Sequence, residues 1–227
     1  MKQNQPRLEI GMLLYPGLTL LDLIGPQTAF SWFSNIHLVW KTKDLIYSDT
    51  GIGVQPTATF ETCPRELDIL FVPGGFGQQQ LMNDAEVLAF LADRAASSKY
   101  ITSVCSGSLL LGAAGLLQGY KATSHWSVRD ALSAFGAEPV EARVVIDRNR
   151  VTGGGVTAGI DFGLVLLAKL RGDEAAKLTQ LAMEYDPEPP FQAGSPKTAG
   201  PVIVEQAMSF MATAMDELAA RVKAVAA

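Results

Sequence analysis

The chain has 227 residues, of which 48% are hydrophobic and 18% charged, a balance typical of a folded globular protein with enough apolar material for a core. The net charge of −5, without long basic runs, argues against a nucleic-acid partner. No apolar run reaches the roughly 18 residues of a membrane span. Residues 1–7 lack the apolar stretch of a signal peptide, so we expect a cytoplasmic protein without a membrane partner.

The sequence contains only two cysteines, Cys63 and Cys105, and two histidines. It therefore offers neither a disulfide framework nor the ligand spacing of a zinc site, and we expect no metal ion. Cys63 lies in a loop-like Thr-Cys-Pro context, where we expect at most a structural role. This cysteine usage is typical of a reducing compartment, in which a free thiolate persists.

Apolar runs that end in turn residues alternate with helix-compatible stretches along the chain. In chain order, the pattern predicts a strand over 8–15, an approach loop and helix over 18–33 with Gly25-Pro26 before the helix body, a strand over 36–41, a hairpin or meander over 45–60, a strand over 68–73, a helix over 84–97 and a strand over 100–104. It then predicts a hairpin over 143–152, helices over 160–171 and 173–185, a loop over 186–200 that packs on the body or forms a subunit contact, and a helix over 201–226. Strands that alternate with helices indicate one α/β domain over 1–227, with a doubly wound, mostly parallel sheet flanked by helices.

Cys105 stands at the end of an apolar, β-branched run and directly before Ser106-Gly107 and a long stretch of Leu and Ala. This order is typical of a nucleophile elbow, in which a strand ends, the chain turns sharply and a helix starts behind the nucleophile. Because a helix N-terminus stabilises negative charge, the pattern predicts a lowered pKa for the Cys105 thiol, whose thiolate is the reactive form. A buried structural cysteine is the alternative, but the turn residues around Cys105 favour the nucleophile.

Four segments that follow predicted strands would meet at one crevice, because ligands of open α/β sheets bind at the carboxyl ends of the strands. These segments are 16–22, 73–75, 105–107 and 153–156. The glycine run in the last of them lacks the spacing of nucleotide-binding loops, so phosphate or dinucleotide binding is not expected. The convergence predicts a ligand site beside Cys105.

Asp22 and Gly75 are further candidates, each with a structural alternative. The backbone amides of Gly75 and Ser106 would form a two-donor hole for negative charge, although glycine serves equally well to form a tight turn there. Asp22 lies among four large apolar residues, a costly place for an unpaired carboxylate. Beside the thiol it would form a coupled pair suited to acid–base catalysis, while a helix cap or a structural hydrogen bond is the commoner role of an aspartate.

Three further polar residues have mixed interpretations. We expect Ser106 to serve both as a turn residue and as a hydroxyl donor beside the thiolate. His125 is the imidazole best placed in the sequence to activate a thiol, although the adjacent Trp126 indicates a packed, structural position. His37 lies within a predicted strand and is not expected to take part.

Motifs spread over nearly the whole chain resemble the ThiJ/PfpI superfamily, which has a flavodoxin-like, class I glutamine amidotransferase-like fold. The resemblance is strongest to the isocyanide hydratase branch. The motifs that carry it are Leu-Asp-Leu-Ile-Gly-Pro at 21–26, Asp-Ile-Leu-Phe-Val-Pro-Gly-Gly at 68–75, Thr-Ser-Val-Cys-Ser-Gly-Ser at 102–108, and the segments 114–119, 122–126, 152–161 and 184–196.

This resemblance implies a cofactor-free hydro-lyase that converts an isocyanide, R–N≡C, into an N-substituted formamide. In that branch the elbow cysteine, here Cys105, attacks the terminal carbon, and the acid at the position of Asp22 handles the protons. A thioimidate forms on the enzyme and water then releases the formamide. The resemblance also implies a homodimer with the active site near the subunit contact, and we expect Gly154 and Val156 to line the pocket for the R group.

The chain departs from the branch at one position and matches it at another. Asp22 agrees with the hydratases, whereas many other superfamily members carry Glu. Ser106 stands where hydratases usually have Thr, and since both carry a hydroxyl we expect the hydrogen bond beside the thiol to persist. His125 matches the superfamily's triad position but is not oriented for that role in hydratases, so we leave it out of the catalytic core.

Two alternatives to a hydratase remain: a ligand- or redox-sensing protein of the same fold, and another hydrolase of the superfamily. A low-pKa, exposed cysteine oxidises readily, which suits a sensor. Transcription regulators with this fold add a helix-turn-helix region with a basic recognition helix. The sequence contains no such region, so we expect the enzyme.

Overall fold

A seven-stranded sheet forms the centre of the computed structural model, which describes residues 5–225. The strands are β1 Leu8–Leu13, β2 Ser34–Trp40, β3 Ile46–Tyr47, β4 Gly53–Val54, β5 Ala58–Thr59, β6 Ile69–Val72, β7 Tyr100–Val104, β8 Lys121–Ala122, β9 Glu138–Pro139, β10 Val144–Asp147 and β11 Arg150–Gly153. The order in the central sheet is β10-β11-β7-β6-β1-β2-β5. Only the β10–β11 pair in this sheet is antiparallel.

Helices cover the sheet. They are α1 Leu20–Phe30, α2 Gln78–Leu81, α3 Ala85–Ser97, α4 Gly107–Ala113, α5 Ala158–Arg171, α6 Asp173–Ala182, α7 Pro196–Ala199 and α8 Pro201–Val225, with a 3-10 helix over Arg129–Phe135. Helix α5 packs against α1 and α6. Helix α4 packs against α2 and the 3-10 helix, and α8 also packs against α2 and the 3-10 helix. The prediction of a mostly parallel sheet flanked by helices is confirmed.

The apolar character of the central strands follows from their position between layers of helices. Every residue of β6 is buried, and β1 is buried along nearly its whole length. Strands covered on both faces have continuous apolar runs rather than an alternating pattern, as in 8–15 and 68–73. Because β1, β6, β7 and β11 run parallel, their carboxyl ends lie along one edge of the sheet.

The first helix differs from its prediction, because Pro26 lies inside α1 and not before its body. Proline lacks the N–H that would bond to the preceding turn, so a helix tolerates it only with compensation. Around Pro26, α1 packs closely against α5. A methyl group on Gly159 would lie 3.2 Å from Pro26, and one on Gly163 would lie 2.8 Å from Ala29.

The hairpin predicted within 45–60 is present, and the loop predicted over 186–200 contains additional structure. Residues 45–60 form the β3–β4 hairpin and then β5, which pairs in parallel with β2 at the sheet edge. The predicted loop 186–200 includes the short helix α7, which Ser195 caps with its hydroxyl. Residue 226, predicted as the end of the last helix, and residues 1–4, part of the segment without a signal peptide, lie outside the described residues.

Helix α8 is the longest helix of the described residues, with 25 residues. Within residues 5–225, no helix combines the length and the apolar character that crossing a membrane requires. The single domain over 1–227 stays a prediction.

Candidate functional site

Cys105 occupies a strained turn between β7 and α4. Its φ of 57° lies in the left-handed region, which is uncommon for a residue other than glycine. Backbone and hydroxyl groups fix this conformation on both sides. The Cys105 amide donates to the carbonyl oxygens of Gly153 (3.1 Å) and Gly154 (2.7 Å), and its carbonyl accepts from the hydroxyls of Ser124 (2.8 Å) and Ser108 (3.2 Å).

Strain of this kind persists only where the surroundings hold it, and it is concentrated at functional sites. The predicted elbow geometry is therefore present at Cys105. Its side chain is buried, with 7% of the residue exposed, and it borders a cavity.

The carboxyl group of Asp22 meets the Cys105 thiol across Gly74. Asp22 lies in the first turn of α1 and is 0% exposed. The Gly74 amide donates to Asp22 Oδ2 at 2.9 Å, and the Gly74 carbonyl accepts from the amide of Thr19 at 2.9 Å, just before α1 begins. A methyl group on Gly74 would lie 2.7 Å from both Asp22 Oδ2 and the Cβ atom of Cys105, so only glycine fits between them.

Burial changes the proton affinities of both members of this pair. It raises the pKa of Asp22 to about 7, against the lowering effects of the Gly74 amide and the Cys105 thiol. Asp22 Oδ1 is buried without a well-aligned hydrogen-bond partner among the described residues, which also disfavours the charged form. The prediction that Asp22 favours its protonated form therefore agrees with its surroundings.

The thiol behaves differently from its prediction. Burial raises the pKa of Cys105 well above its ordinary value, and the charge of Asp22 raises it further. The amide and hydroxyl of Ser106 act in the opposite direction, as expected at the start of α4, but they are outweighed. The lowered pKa that the helix N-terminus predicted is thus reversed, because the sequence does not reveal how deeply the sulfur is buried.

Ser106 and Gly75 form a short chain of donors that ends at the sulfur. The Gly75 amide donates to Ser106 Oγ at 3.1 Å, and both the amide and the hydroxyl of Ser106 interact with the Cys105 sulfur. The Gly75 amide thus donates to the Ser106 hydroxyl. It is not free to act with the Ser106 amide as the predicted two-donor hole for negative charge. The positive φ of Gly75, 132°, and backbone atoms within 2.7 Å of where a Cβ atom would lie explain the need for glycine at this position.

A cavity of about 150 Å³ opens next to Cys105 and Ser106. Its apolar wall consists of Phe76, Val128, Val156, Met211 and Leu218, and its polar lining includes His125 and Gln79. The expected position of Val156 beside the pocket agrees with this lining. The expectation that Gly154 lines the cavity is wrong. Gly154 lies behind Cys105, where its carbonyl accepts from the cysteine amide.

A larger and more open groove, of about 740 Å³, runs between residues 76–80 and the C-terminal half of α8. It shares Phe76 and Gln79 with the cavity, but Cys105 lines only the smaller one. The smaller cavity is therefore the candidate site.

The two histidines lie in different surroundings. His125 lines the cavity, and its Nδ1 is 2.8 Å from Ser127 Oγ. Burial lowers the pKa of His125, and among the described residues it makes no hydrogen bond to Cys105. His37 Nε2 lies 2.7 Å from Glu9 Oε2, outside the cavity lining.

The second cysteine, Cys63, is buried next to Arg94, whose guanidinium donates to the Cys63 carbonyl at 3.2 Å. It does not line the cavity, which agrees with a structural role. Within residues 5–225, no group of three or more His, Cys, Asp and Glu side chains could hold a metal ion.

Sequence reasoning missed several residues of this site. Ser124 stands in the motif that drew attention to His125, but its hydroxyl supports the cysteine backbone, a contact that no sequence spacing announces. Met211 and Leu218 come from the far end of the chain, where the sequence predicted a helix without indicating what it covers. Tyr15, at the end of the first apolar run, is fully buried and donates to the Pro73 carbonyl at 2.7 Å.

Comparisons with known proteins agree with the geometry. The family profile of DJ-1/PfpI proteins matches residues 9–169. The isonitrile hydratase of Pseudomonas putida is 51% identical over 202 residues, which make up 88% of each chain. The crystal structure of a ThiJ/PfpI family protein from Pseudomonas syringae superposes with a TM-score of 0.92 at 56% identity, over 96% of this chain and 91% of that one.

A second kind of relative is a regulator. The HTH-type transcriptional regulator GbdR of Pseudomonas aeruginosa is 33% identical over 182 residues, which cover 76% of this chain but only 49% of the regulator. The same fold is thus present within proteins of a different class, so the fold by itself does not decide the activity.

Proposed function

This chain belongs to the DJ-1/PfpI family, and we propose that it is an isocyanide hydratase that forms N-substituted formamides. The observation that carries the proposal is the buried Asp22 carboxyl beside the Cys105 thiol, which itself lines a mainly apolar cavity. The 51% identity to an isonitrile hydratase supports it, since isonitrile is another name for isocyanide.

The first step joins the Cys105 sulfur to the terminal carbon of the isocyanide. The thiol proton passes to the Asp22 carboxylate and from there to the same carbon, which gives a thioimidate, S–CH=N–R. An acid within reach is required because the attacked carbon becomes basic as the bond forms. A buried carboxyl with a pKa of about 7 is suited to both transfers, since it gives and takes a proton readily near neutral pH.

The second step adds water to the thioimidate carbon. The nitrogen receives a proton, the carbon–sulfur bond breaks, and the formamide leaves as the sulfur regains its proton through Asp22. The net reaction consumes one isocyanide and one water, and needs no cofactor.

The two groups work as a pair that carries one proton. In such a pair the proton affinity belongs to both groups together, and the thiolate with protonated acid is equivalent in charge to the thiol with carboxylate. The raised pKa of Cys105 is therefore compatible with nucleophilic attack, because the proton is transferred to Asp22 as the sulfur attacks. Protonation of both groups stops the reaction, so we expect activity to fall as the pH drops below about 7.

Ser106 and Gly75 support the sulfur when it bears negative charge. The Ser106 amide and hydroxyl stabilise the thiolate, both during attack and when the carbon–sulfur bond breaks. The Gly75 amide orients that hydroxyl. The apolar wall at Val156 and Phe76 suits a hydrocarbon R group, and the volume of about 150 Å³ favours compact ones.

The sensor alternative has less support from the same contacts. Redox-sensing cysteines are low-pKa, accessible thiolates, whereas burial and Asp22 raise the pKa of Cys105.

An assay of the purified protein with an alkyl and an aryl isocyanide tests the proposal, with formamide followed by proton NMR. We expect formamide with the wild type and none above background with Cys105→Ala. Cys63→Ala is the matched control, since this second buried cysteine lies outside the cavity, and it should retain activity. A wild type that makes no formamide, but whose Cys105 oxidises at low peroxide, would support the sensor instead.

We also propose that the protein is a cytoplasmic homodimer. Light scattering after size-exclusion chromatography should give twice the chain mass of 24.2 kDa. A monomeric mass would remove the subunit contact from the proposal without affecting the chemistry at Cys105.

A further inference from the structure

The hydroxyl of Tyr15 and the carboxyl of Asp22 bind opposite ends of one peptide group. Tyr15 Oη donates to the Pro73 carbonyl at 2.7 Å. The amide that follows this carbonyl, Gly74 N–H, donates to Asp22 Oδ2 at 2.9 Å. The peptide bond is planar, so a hydrogen bond that fixes its carbonyl also fixes the direction of its N–H.

We infer that Tyr15 is a positioning residue for the Asp22–Cys105 pair, because its hydroxyl orients and polarises the Pro73–Gly74 peptide that holds the Asp22 carboxyl. A hydrogen bond accepted by a carbonyl makes the N–H of the same peptide a stronger donor, and such chains strengthen one another in a buried site. The Gly74 amide donates the backbone hydrogen bond that Asp22 receives, through Oδ2. Tyr15 therefore acts on the carboxyl without touching it.

Tyr15 is suited to this role because its hydroxyl keeps its proton and donates it to the Pro73 carbonyl. It is completely buried just after β1, and burial together with the charges of Asp22, Cys105 and Asp49 raises its pKa well above the ordinary value. The hydroxyl thus keeps its proton throughout the working pH range. Its single proton goes to the Pro73 carbonyl.

The titratable groups around Asp22 come from three elements. They are the Cys105 thiol at the end of β7, Tyr15 after β1, and Asp49 in the turn between β3 and β4. The Asp49 carboxylate accepts from the Leu20 amide at 3.3 Å and raises the pKa of Asp22 by repulsion. Replacing the Tyr15 hydroxyl leaves Cys105 and Asp49 in place, so a change in Asp22 titration would come from the peptide.

The test is Tyr15→Phe, which removes one oxygen atom and keeps the ring. The titration midpoint of Asp22 is followed by carbon NMR of protein labelled at the aspartate carboxyl, with the signal assigned by its loss in Asp22→Asn. Because the hydrogen bond from the Gly74 amide to the Asp22 carboxylate weakens, we expect the midpoint to rise by roughly 0.5 pH unit. The acid limb of the pH profile of kcat/KM for formamide formation should shift to higher pH by the same amount, while kcat at the plateau changes little.

A matched control separates this effect from the loss of any buried hydroxyl. Thr102 on β7 is also fully buried. Its hydroxyl donates at 2.9 Å to the carbonyl of Leu70 on β6, the strand that ends just before Pro73. Thr102→Val should leave the Asp22 midpoint unchanged. Equal midpoints in Tyr15→Phe and the wild type would overturn the inference, and so would an equal shift in Thr102→Val.

A second variant keeps the test valid if Tyr15→Phe does not fold. Site-specific 3-fluorotyrosine at position 15 retains the ring and has a more acidic hydroxyl, which donates more strongly. We expect the Asp22 midpoint to fall, the opposite of the phenylalanine variant, and a rise would contradict the inference. Only the kinetic measurement rests on the proposed function, so a protein that hydrates no isocyanide still gives a decisive NMR result.

Discussion

At the scale of single residues, Gly74 sets the separation between the carboxyl of Asp22 and the thiol of Cys105. Its φ is not among the positive values, so the need for glycine is steric and not conformational. We predict that Gly74→Ala lowers kcat/KM at least about 100-fold, because small misplacements of reacting groups are costly. The added methyl group would collide with Asp22 Oδ2, the Cβ atom of Cys105 and the Ser106 amide, each 2.7 Å away.

Formamide assays on the folded variant check this prediction, with folding verified by circular dichroism. Gly194→Ala is the control, since a methyl group on Gly194 meets nothing within 4 Å. Activity of Gly74→Ala close to that of the wild type would show that the contact between carboxyl and thiol is unnecessary.

Because of Asp22, the free energy of unfolding should decrease as the pH rises. Its pKa rises on folding from 3.8 to about 7, so between these values the folded state binds more protons than the unfolded chain. The free energy of unfolding therefore falls through this range, and the loss is complete above pH 7. We predict that Asp22→Asn is inactive but gains about 1–3 kcal/mol relative to the wild type on going from pH 4 to pH 8.

Urea unfolding of both proteins at several pH values measures this difference. Asp130→Asn is a suitable control, because its carboxylate is exposed. A stability difference between Asp22→Asn and the wild type that does not change with pH would mean that Asp22 is charged in the folded protein.

The identities of the two proposed reacting residues could be predicted from the sequence, but their proton affinities could not. Cys105 stands at a strand end before turn residues, and Asp22 is a carboxylate in an apolar run, so both are visible as local patterns. The pKa of the thiol depends on competition between burial, the Asp22 charge and the Ser106 donors. That competition is decided by contacts between segments far apart in the chain.

At the scale of elements, α8 forms one wall of the cavity. Met211 and Leu218 reach the lining one above the other along the helix, while the neighbouring Phe210 is 94% exposed. We predict that Met211→Ala enlarges the cavity, raising kcat/KM for bulky isocyanides relative to compact ones by about tenfold, the effect of one or two methylene groups in an apolar pocket.

Competition between tert-butyl and methyl isocyanide, followed by NMR of both formamides, gives this ratio directly. Phe210→Ala removes a larger apolar side chain from the same helix without reaching the cavity, and should leave the ratio unchanged. If both variants change it equally, α8 acts through its general stability and not as a wall.

Elements with strong local patterns could be predicted, and those that depend on packing could not. The buried strands at 68–73 and 100–104 and the helix at 84–97, which Asp84 caps, follow from apolar runs and turn residues. Pro26 lies inside α1, where it packs closely against two glycines of α5. Nothing near Pro26 in the sequence signals that distant partner.

At the scale of the whole molecule, the parallel sheet assembles the site from separate segments. The carboxyl ends of β1, β6, β7 and β11 lie at one edge, which brings Asp22, Gly74, Cys105 and Gly154 together across 133 positions of sequence numbering, from 22 to 154. This convergence could be predicted from the alternation of strands and helices. The antiparallel edge strand β10 also agrees with the predicted hairpin over 143–152.

The groups that we propose for the reaction and the helix that borders the cavity come from different parts of the chain. Asp22, Cys105 and Ser106 all lie within residues 9–169, the stretch that matches the family, whereas α8 begins at Pro201. The cavity wall draws on both parts, because Phe76, Val128 and Val156 lie within residues 9–169 and Met211 and Leu218 lie on α8. Substitutions in α8 can therefore reshape one wall of the cavity while the residues around Cys105 and Asp22 stay unchanged.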